Sequence, residues 1–251
     1  RLGSKRRDEL GKLSRDFDAM AERIEALISS QSRLTRDISH ELRSPLARMN
    51  VALELARSKA SADTAPLLSR IETESQRLNE MISNILTLSK LESQSEVVEK
   101  DDLNLTRIFE GTVADAAFEA EGKGKSVVML KADAARIRGN ERLLNSAIEN
   151  VMRNAVRYTP DKVEVSLEVR EGNAFIKVRD YGEGIPEEDI GEIFRPFYRV
   201  SQARDRKSGG IGLGLSITEQ AVNAHGGSVS AWNLEDGFVV EIKLPLNDAR
   251  Q

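Results

Sequence analysis

The sequence predicts a multidomain chain, all-α at first and α+β afterwards. A helical hairpin pairs with a second copy of itself into a dimeric four-helix bundle, and a domain follows in which helices cover antiparallel strand hairpins. Two observations carry this. Residues 1–100 hold two glycines, Gly3 and Gly11, and two prolines, Pro45 and Pro66, whereas the remainder holds fifteen glycines and four prolines. The apolar residues of the first part also recur every three or four positions, while those of the second switch between that period and strict alternation. Composition narrows the class further. With 39% hydrophobic and 31% charged residues this is ordinary soluble material, not a disordered chain. A net charge of −4 makes non-specific nucleic-acid binding a poor expectation. The absence of cysteine excludes disulfides and thiol catalysis, and two histidines, His40 and His225, are too few for a multi-histidine metal site. No run of 18 apolar residues is present, so no membrane span is expected, and no signal peptide is visible. The chain begins at Arg1, as expected of a piece of a longer protein.

Leu10, Leu13, Phe17, Met20, Ile24 and Leu27 follow a heptad seam. The seam resumes at Leu34, Ile38, Leu42, Leu46, Met49 and Leu53, where extra four-residue steps act as stutters. A second helix starts near Asp63 or Thr64 with Pro66 in its first turn, and its seam runs Leu67, Ile71, Ser75, Leu78, Ile82, Ile85 and Ser89. The short connection Arg57–Ser61 makes the two helices an antiparallel hairpin, and their wide apolar stripes call for a second hairpin. Ser93–Asp102 reads as a polar linker. Beyond it the pattern predicts helices over Asn104–Ala120, Glu141–Arg157 and Leu213–His225, the last ended by Gly226-Gly227. Strands are expected at Ser126–Leu130, Val163–Val169, Ala174–Asp180, Ser228–Trp232 and Phe238–Leu244.

Four stretches carry chemistry. His40 lies about 200° around the helix from both Ile38 and Leu42, so it points away from the seam, with Ser44 and Arg43 on its face and Glu41 beside it. A neutral imidazole held by a carboxylate is a serviceable nucleophile, although an exposed helical histidine also has a plain surface reading. Pro45 removes a backbone donor and invites a bend there. Asp180, at an inward-facing strand end, precedes Gly182 and Gly184, a pattern that suits close approach of backbone to a ligand and equally an ordinary turn. Asn150 and Asn154, one helical turn apart, could hold Mg²⁺ through amide oxygens, with Arg157 toward phosphate and Tyr158 stacked on a base; they could equally be surface amides. Gly209-Gly210-Ile-Gly212-Leu213-Gly214-Leu215 runs into a helix and offers N–H groups to phosphate, or a hinge. It is not a dinucleotide fingerprint, because no apolar strand precedes it.

In this order, these stretches resemble the sequence boxes of sensor histidine kinases. His40-Glu-Leu-Arg-Ser-Pro-Leu46 resembles the H box, Asn150–Thr159 the N box, Asp180–Gly184 the G1 box, Phe194-Arg-Pro-Phe197 the F box and Gly210–Leu215 the G2 box. The likeness spans roughly residues 8 to 245. Asp8-Glu-Leu-Gly11 with Phe17 and Met20 resembles the second half of a HAMP signalling module, and Ala116–Glu121, Phe194–Arg199 and Ala203–Arg206 narrow the likeness to one member of the family. The resemblance implies three parts: a HAMP-like coiled coil over 1–28, a dimerisation and histidine-phosphotransfer domain over 29–97, and a Bergerat-type α/β sandwich binding ATP and Mg²⁺ over 98–251. It implies His40 as phosphoacceptor, Glu41 as general base, and Ser44 where the family often has Thr or Asn to position water. Asn150 and Asn154 become the Mg²⁺ site and Asp180 the adenine reader, followed by Gly182, Gly184 and Ile185. Arg157 stands where Lys is commoner, which keeps the charge but changes the geometry. Residues 199–211 resemble an ATP lid with Arg199 and Lys207 on phosphate, leading into Gly210, Gly212, Leu213, Gly214 and Leu215. His225 has no such role and is expected to be structural. The implied partners are a second copy in a homodimer and a response regulator receiver domain. The implied location is the cytoplasmic portion of a bacterial inner-membrane protein, with no membrane contact by this segment itself. A Bergerat-fold ATPase doing conformational work is the alternative, and it leaves His40-Glu-x-Arg-x-Pro unexplained.

Overall fold

The computed structural model describes residues 10, 12–13, 16–21, 42, 45–57, 64–92, 100–200 and 211–246. The chain divides into two compact units, Arg1–Glu96 and Val97–Gln251.

In the first unit, helical residues 45–57 form α1 and Ala65–Glu92 form α2. The carbonyl of Thr64 accepts the N–H groups of Leu67 and Leu68, so α2 starts beside the expected position with Pro66 in its first turn. Asn50 accepts a hydrogen bond from Ser75, and Arg57 pairs with Glu72 at 3.0 Å. Later residues of α1 thus meet earlier residues of α2, which makes the pair antiparallel. Ser75 interrupts an apolar seam, yet it is 1% exposed. A buried hydroxyl needs its partner, so the Asn50–Ser75 bond pins the register of the hairpin. Several apolar side chains of the hairpin stay uncovered: Met49, Val51, Leu55, Leu67, Ile71 and Leu78 are all exposed.

The second unit runs β1 (Asp101–Asn104), α3 (Leu105–Glu121), β2 (Ser126–Ala132), β3 (Arg136–Gly139), α4 (Glu141–Tyr158), β4 (Lys162–Arg170), β5 (Asn173–Asp180), a 3-10 turn (Glu187–Asp189), α5 (Gly214–Ala224), β6 (Ser228–Leu234) and β7 (Gly237–Pro245). The main sheet has the order β2-β4-β5-β7-β6. Helix α4 packs between α3 and α5, and the three cover one face of that sheet, giving an α/β sandwich. Alternation explains the core. Val163, Val165 and Leu167 of β4, Ala174, Ile176 and Val178 of β5, and Ile242 and Leu244 of β7 are all buried against Phe109, Ile148, Met152 and Ile217 of the helices.

Three features depart from expectation. Strands β1 and β3 pair with each other, from Asp101↔Gly139 to Asn104↔Arg136, so Asp101 and Asp102 belong to the second unit and not to a linker. Four-residue strands of charged sequence carry no periodic signal. β2 is parallel to β4, because the chain between them passes through β3 and α4 and returns on the same side, as a parallel crossover requires. The last helix stops at Ala224, and His225 is its cap.

His225 is 5% exposed and ties two helices together. Its Nε2 accepts the N–H of Asn140, the N-cap of α4, at 2.9 Å, so the ring proton sits on Nδ1, 2.6 Å from the carbonyl oxygen of Ala221. Burial pushes this imidazole below its ordinary value of 6.5. The stability it contributes is therefore present above that value and lost as pH falls through the lowered one. We expect His225→Leu to cost about 1–3 kcal/mol in urea unfolding, since it orphans a buried N–H, and to lose the parent's decline in stability toward acid.

Candidate functional site

Helix α4 is the frame of the site. Its first turn is closed by the Asn140 side chain, which accepts the Leu143 N–H at 3.1 Å. Its last turn is closed by Lys125, whose Nζ donates to the carbonyls of Val156 and Arg157 at 2.9 and 3.2 Å. Held at both ends, α4 presents Asn150, Asn154, Arg157 and Tyr158. Asn150 is buried, accepts a hydrogen bond from Arg153 at 2.9 Å, and has its Oδ1 3.2 Å from where a Cβ on Gly214 would stand. The start of α5 therefore lies directly against Asn150. Asn154 and Arg157 are half-buried, and Tyr158 is exposed.

Strand β5 ends at Asp180, whose side chain faces the helix layer and is 7% exposed. Its Oδ1 accepts the N–H of Gly182 at 2.9 Å, and among the described residues no second donor reaches it. Burial pushes the carboxyl up from 3.8 to about 6, opposed by that N–H. A buried acid with one oxygen unengaged suits a ligand that brings a donor. Below it, the hydroxyl of Thr159 donates to the carbonyl of Lys162 and accepts the N–H of Tyr181 at 3.4 Å, which joins the end of α4 to the end of β5. Gly182 backs onto the carbonyl of Tyr158. Gly184 has φ +73°, and a Cβ there would stand 2.5 Å from Oδ1 of Asn233. Asn233 accepts the N–H of Ile185 at 3.0 Å and donates to its carbonyl at 2.7 Å.

On the other side, the N–H of Phe197 donates to the carbonyl of Gly212 at 2.8 Å. Gly212 has φ +80°, and a Cβ would stand 2.7 Å from the carbonyl oxygen of Tyr198. Leu213 is buried and precedes the first turn of α5, which no side chain caps. Gly214, Leu215 and Arg199 are half-buried. His40, Glu41, Ser44, Lys207 and Gly210 lie outside the described residues.

The structure thus assembles Asn150 with the start of α5, and Asp180, Gly182, Gly184 and Ile185 in one turn that starts against the end of α4 and ends against Asn233 of β6. Amide oxygens of Asn150 and Asn154 are hard ligands of the kind Mg²⁺ takes, and the half-satisfied Asp180 fits an amino-bearing base. Sequence reasoning missed Lys125, Thr159 and Asn233. Thr159 stands within a recognised stretch, whereas Asn233 is 48 residues from Ile185 in the chain and has no local signal.

Comparison with known proteins agrees with this frame. Residues 139–248 match the model for histidine kinase-, DNA gyrase B-, and HSP90-like ATPases, and residues 30–94 match the His Kinase A (phospho-acceptor) domain. The chain is 42% identical to the sensor histidine kinase CpxA of Escherichia coli (strain K12) over 235 residues, covering 92% of this chain and 50% of that protein. It is 33% identical to the sensor protein CutS of Streptomyces coelicolor over 245 residues, covering 95% of this chain and 58% of that one. The chain thus spans about half the length of these relatives. In fold it is similar to full-length ShkA in complex with AMPPNP, with a TM-score of 0.74, 21% identity, and coverage of 87% of this chain and 47% of that one. The Acinetobacter baumannii histidine kinase AdeS gives a TM-score of 0.59 at 21% identity, covering 83% of this chain and 98% of that one.

A carboxyl raised in the folded state binds its proton more tightly there. Its contribution to stability is thus fully present below 3.8 and lost as pH rises through about 6. We expect Asp180→Asn to remove this loss, so that in urea unfolding the variant gains on the parent between about pH 4 and pH 6.5 and holds its advantage at neutrality.

Proposed function

The chain belongs to the sensor histidine kinases of two-component systems, and from that premise we propose that it phosphorylates itself on His40 from Mg-ATP and passes the phosphoryl group to an aspartate of a response regulator. The observation that carries the nucleotide half is Asp180, a buried carboxylate with one oxygen unengaged in the domain that matches the ATPase model. The phosphoacceptor half is supported by His40-Glu-Leu-Arg-Ser-Pro lying within the residues that match the phospho-acceptor model.

Asp180 accepts a hydrogen bond from the adenine amino group, and the turn through Gly182, Gly184 and Ile185 sets the depth of the base, with Tyr158 beside it. The backbone through Gly210, Gly212, Leu213, Gly214 and Leu215 offers N–H groups and the positive end of α5 to the phosphates. Arg157, Arg199 and Lys207 offset their charge. Asn150 and Asn154 would hold Mg²⁺, which supplies charge neutralisation when bound. Because phosphoryl transfer needs alignment more than covalent work by the protein, the remaining steps fall to three residues. One imidazole nitrogen of His40 forms a bond to the γ-phosphorus as the bond to the β–γ bridging oxygen breaks; ADP leaves, and Glu41 takes the imidazole proton. Ser44 orients water when the phosphorylated regulator is hydrolysed. The uncovered apolar side chains of the α1–α2 hairpin support a homodimer. The HAMP-like Asp8–Gly11 pattern supports a place for this segment as the cytoplasmic portion of a bacterial inner-membrane protein, with residues 1–28, 29–97 and 98–251 as its three parts.

With γ-labelled ATP and Mg²⁺, the protein should take up acid-labile, alkali-stable label that His40→Gln abolishes; label persisting in that variant overturns the proposal. Turnover without label would favour an ATPase. Asn154→Ala should lower the labelling rate at least tenfold while leaving the protein folded by circular dichroism.

A further inference from the structure

In the sheet register, Asp180 on β5 pairs with Phe238 on β7, and Phe238 pairs with Asn233 on β6. The three stand in one row and share one face, with Asp180 and Asn233 two strands apart, roughly 10 Å. The chain leaves β5 at Asp180, crosses the end of β7, and meets Asn233 at Ile185. The near end of this span is held by β5 itself, by the Gly182–Asp180 bond and by Thr159 beneath Tyr181. Among the described residues, the far end is held by one side chain. Asn233 Oδ1 accepts the Ile185 N–H at 3.0 Å, and Nδ2 donates to the Ile185 carbonyl at 2.7 Å and to Oε1 of Glu187 at 3.1 Å. Both amide hydrogens are used, and the two bonds to Ile185 copy the pairing a neighbouring strand would supply. The glycine at 184 is what lets the amide come this close.

We propose that Asn233 is a positioning residue for base recognition: by clamping the backbone of Ile185 it holds the turn from Asp180 to Gly184 at a fixed height, and so sets the preference for adenine over guanine. The inference rests on the reading of Asp180 as the adenine acceptor. Asp180 can orient toward an amino group only while the segment that supplies its Gly182 N–H stays in place. At the same position guanine presents a carbonyl oxygen, which a carboxylate repels. A loose turn gives up the first interaction and relaxes the second. A residue serving only general stability would weaken both nucleotides alike.

The test measures ADP and GDP affinity of the full chain by titration calorimetry, with Mg²⁺, for the parent, Asn233→Leu, Asn233→Asp and Asp180→Ala. Asn233→Asp keeps the shape and the acceptor for the Ile185 N–H but sets a carboxylate against the Ile185 carbonyl and Glu187; it serves if the leucine variant does not fold. We expect both Asn233 variants to bind ADP at least tenfold more weakly with GDP changed less than twofold, and the KM for ATP in autophosphorylation to rise with kcat within about twofold. Folded variants that keep the parent's ADP-to-GDP ratio, or that weaken both nucleotides equally, overturn the proposal. If the parent shows no ADP preference, or Asp180→Ala retains it, the reading of Asp180 itself fails, and the inference with it.

Discussion

A carboxylate held nearly out of water at the end of a strand, with one N–H to satisfy it, is the constraint around which the second unit is arranged. Asp180 is 7% exposed and its carboxyl is pushed up to about 6. Such a group is costly to bury unless a partner arrives, and the surrounding structure has to resist the local rearrangement that would release it. The resistance comes from several directions. β5 pairs on both sides, Thr159 links Tyr181 to the end of α4, and Asn233 reaches across from β6. The buried acid is thus a strain carried by rigid elements, the arrangement expected where binding and not stability has shaped a position.

The same logic governs α4. Its N-terminus is fixed by Asn140 and by His225 beyond it, its C-terminus by Lys125, and its middle by contact with α5 at Gly214. A helix restrained at three points can offer amide oxygens and a guanidinium to a polyphosphate without first being ordered by it. The first unit is arranged the other way. A buried polar contact, Ser75 to Asn50, sets the hairpin's register, while several apolar side chains remain uncovered. Uncovered apolar side chains are what a further packing surface would bury.

Periodicity made most of the architecture legible in advance. The antiparallel helical hairpin, the three helices of the second unit and five of its strands follow from apolar spacing alone, because each buries one face and so repeats at its own period. The short strands β1 and β3 escaped, since four residues with one apolar side chain between polar or charged neighbours carry no period to read. The parallel β2–β4 pair escaped because direction depends on the path of the chain between strands and not on the strands themselves.

The candidate site divides in the same way. The residue types at 150, 154, 157, 180, 182, 184 and 212–215 announce themselves, since amides, a guanidinium, an acid and glycine-containing runs in those spacings are local features of the chain. Asn233, Thr159 and Lys125 do not, because their role consists in contacts made across the fold: 48 residues to Ile185, 22 to Tyr181 and 31 to Val156. Local spacing along the chain sets which groups are available and in which element each stands. Which backbone amide faces which side chain follows from strand order and register, and those are settled by packing between distant segments, so no local stretch carries them.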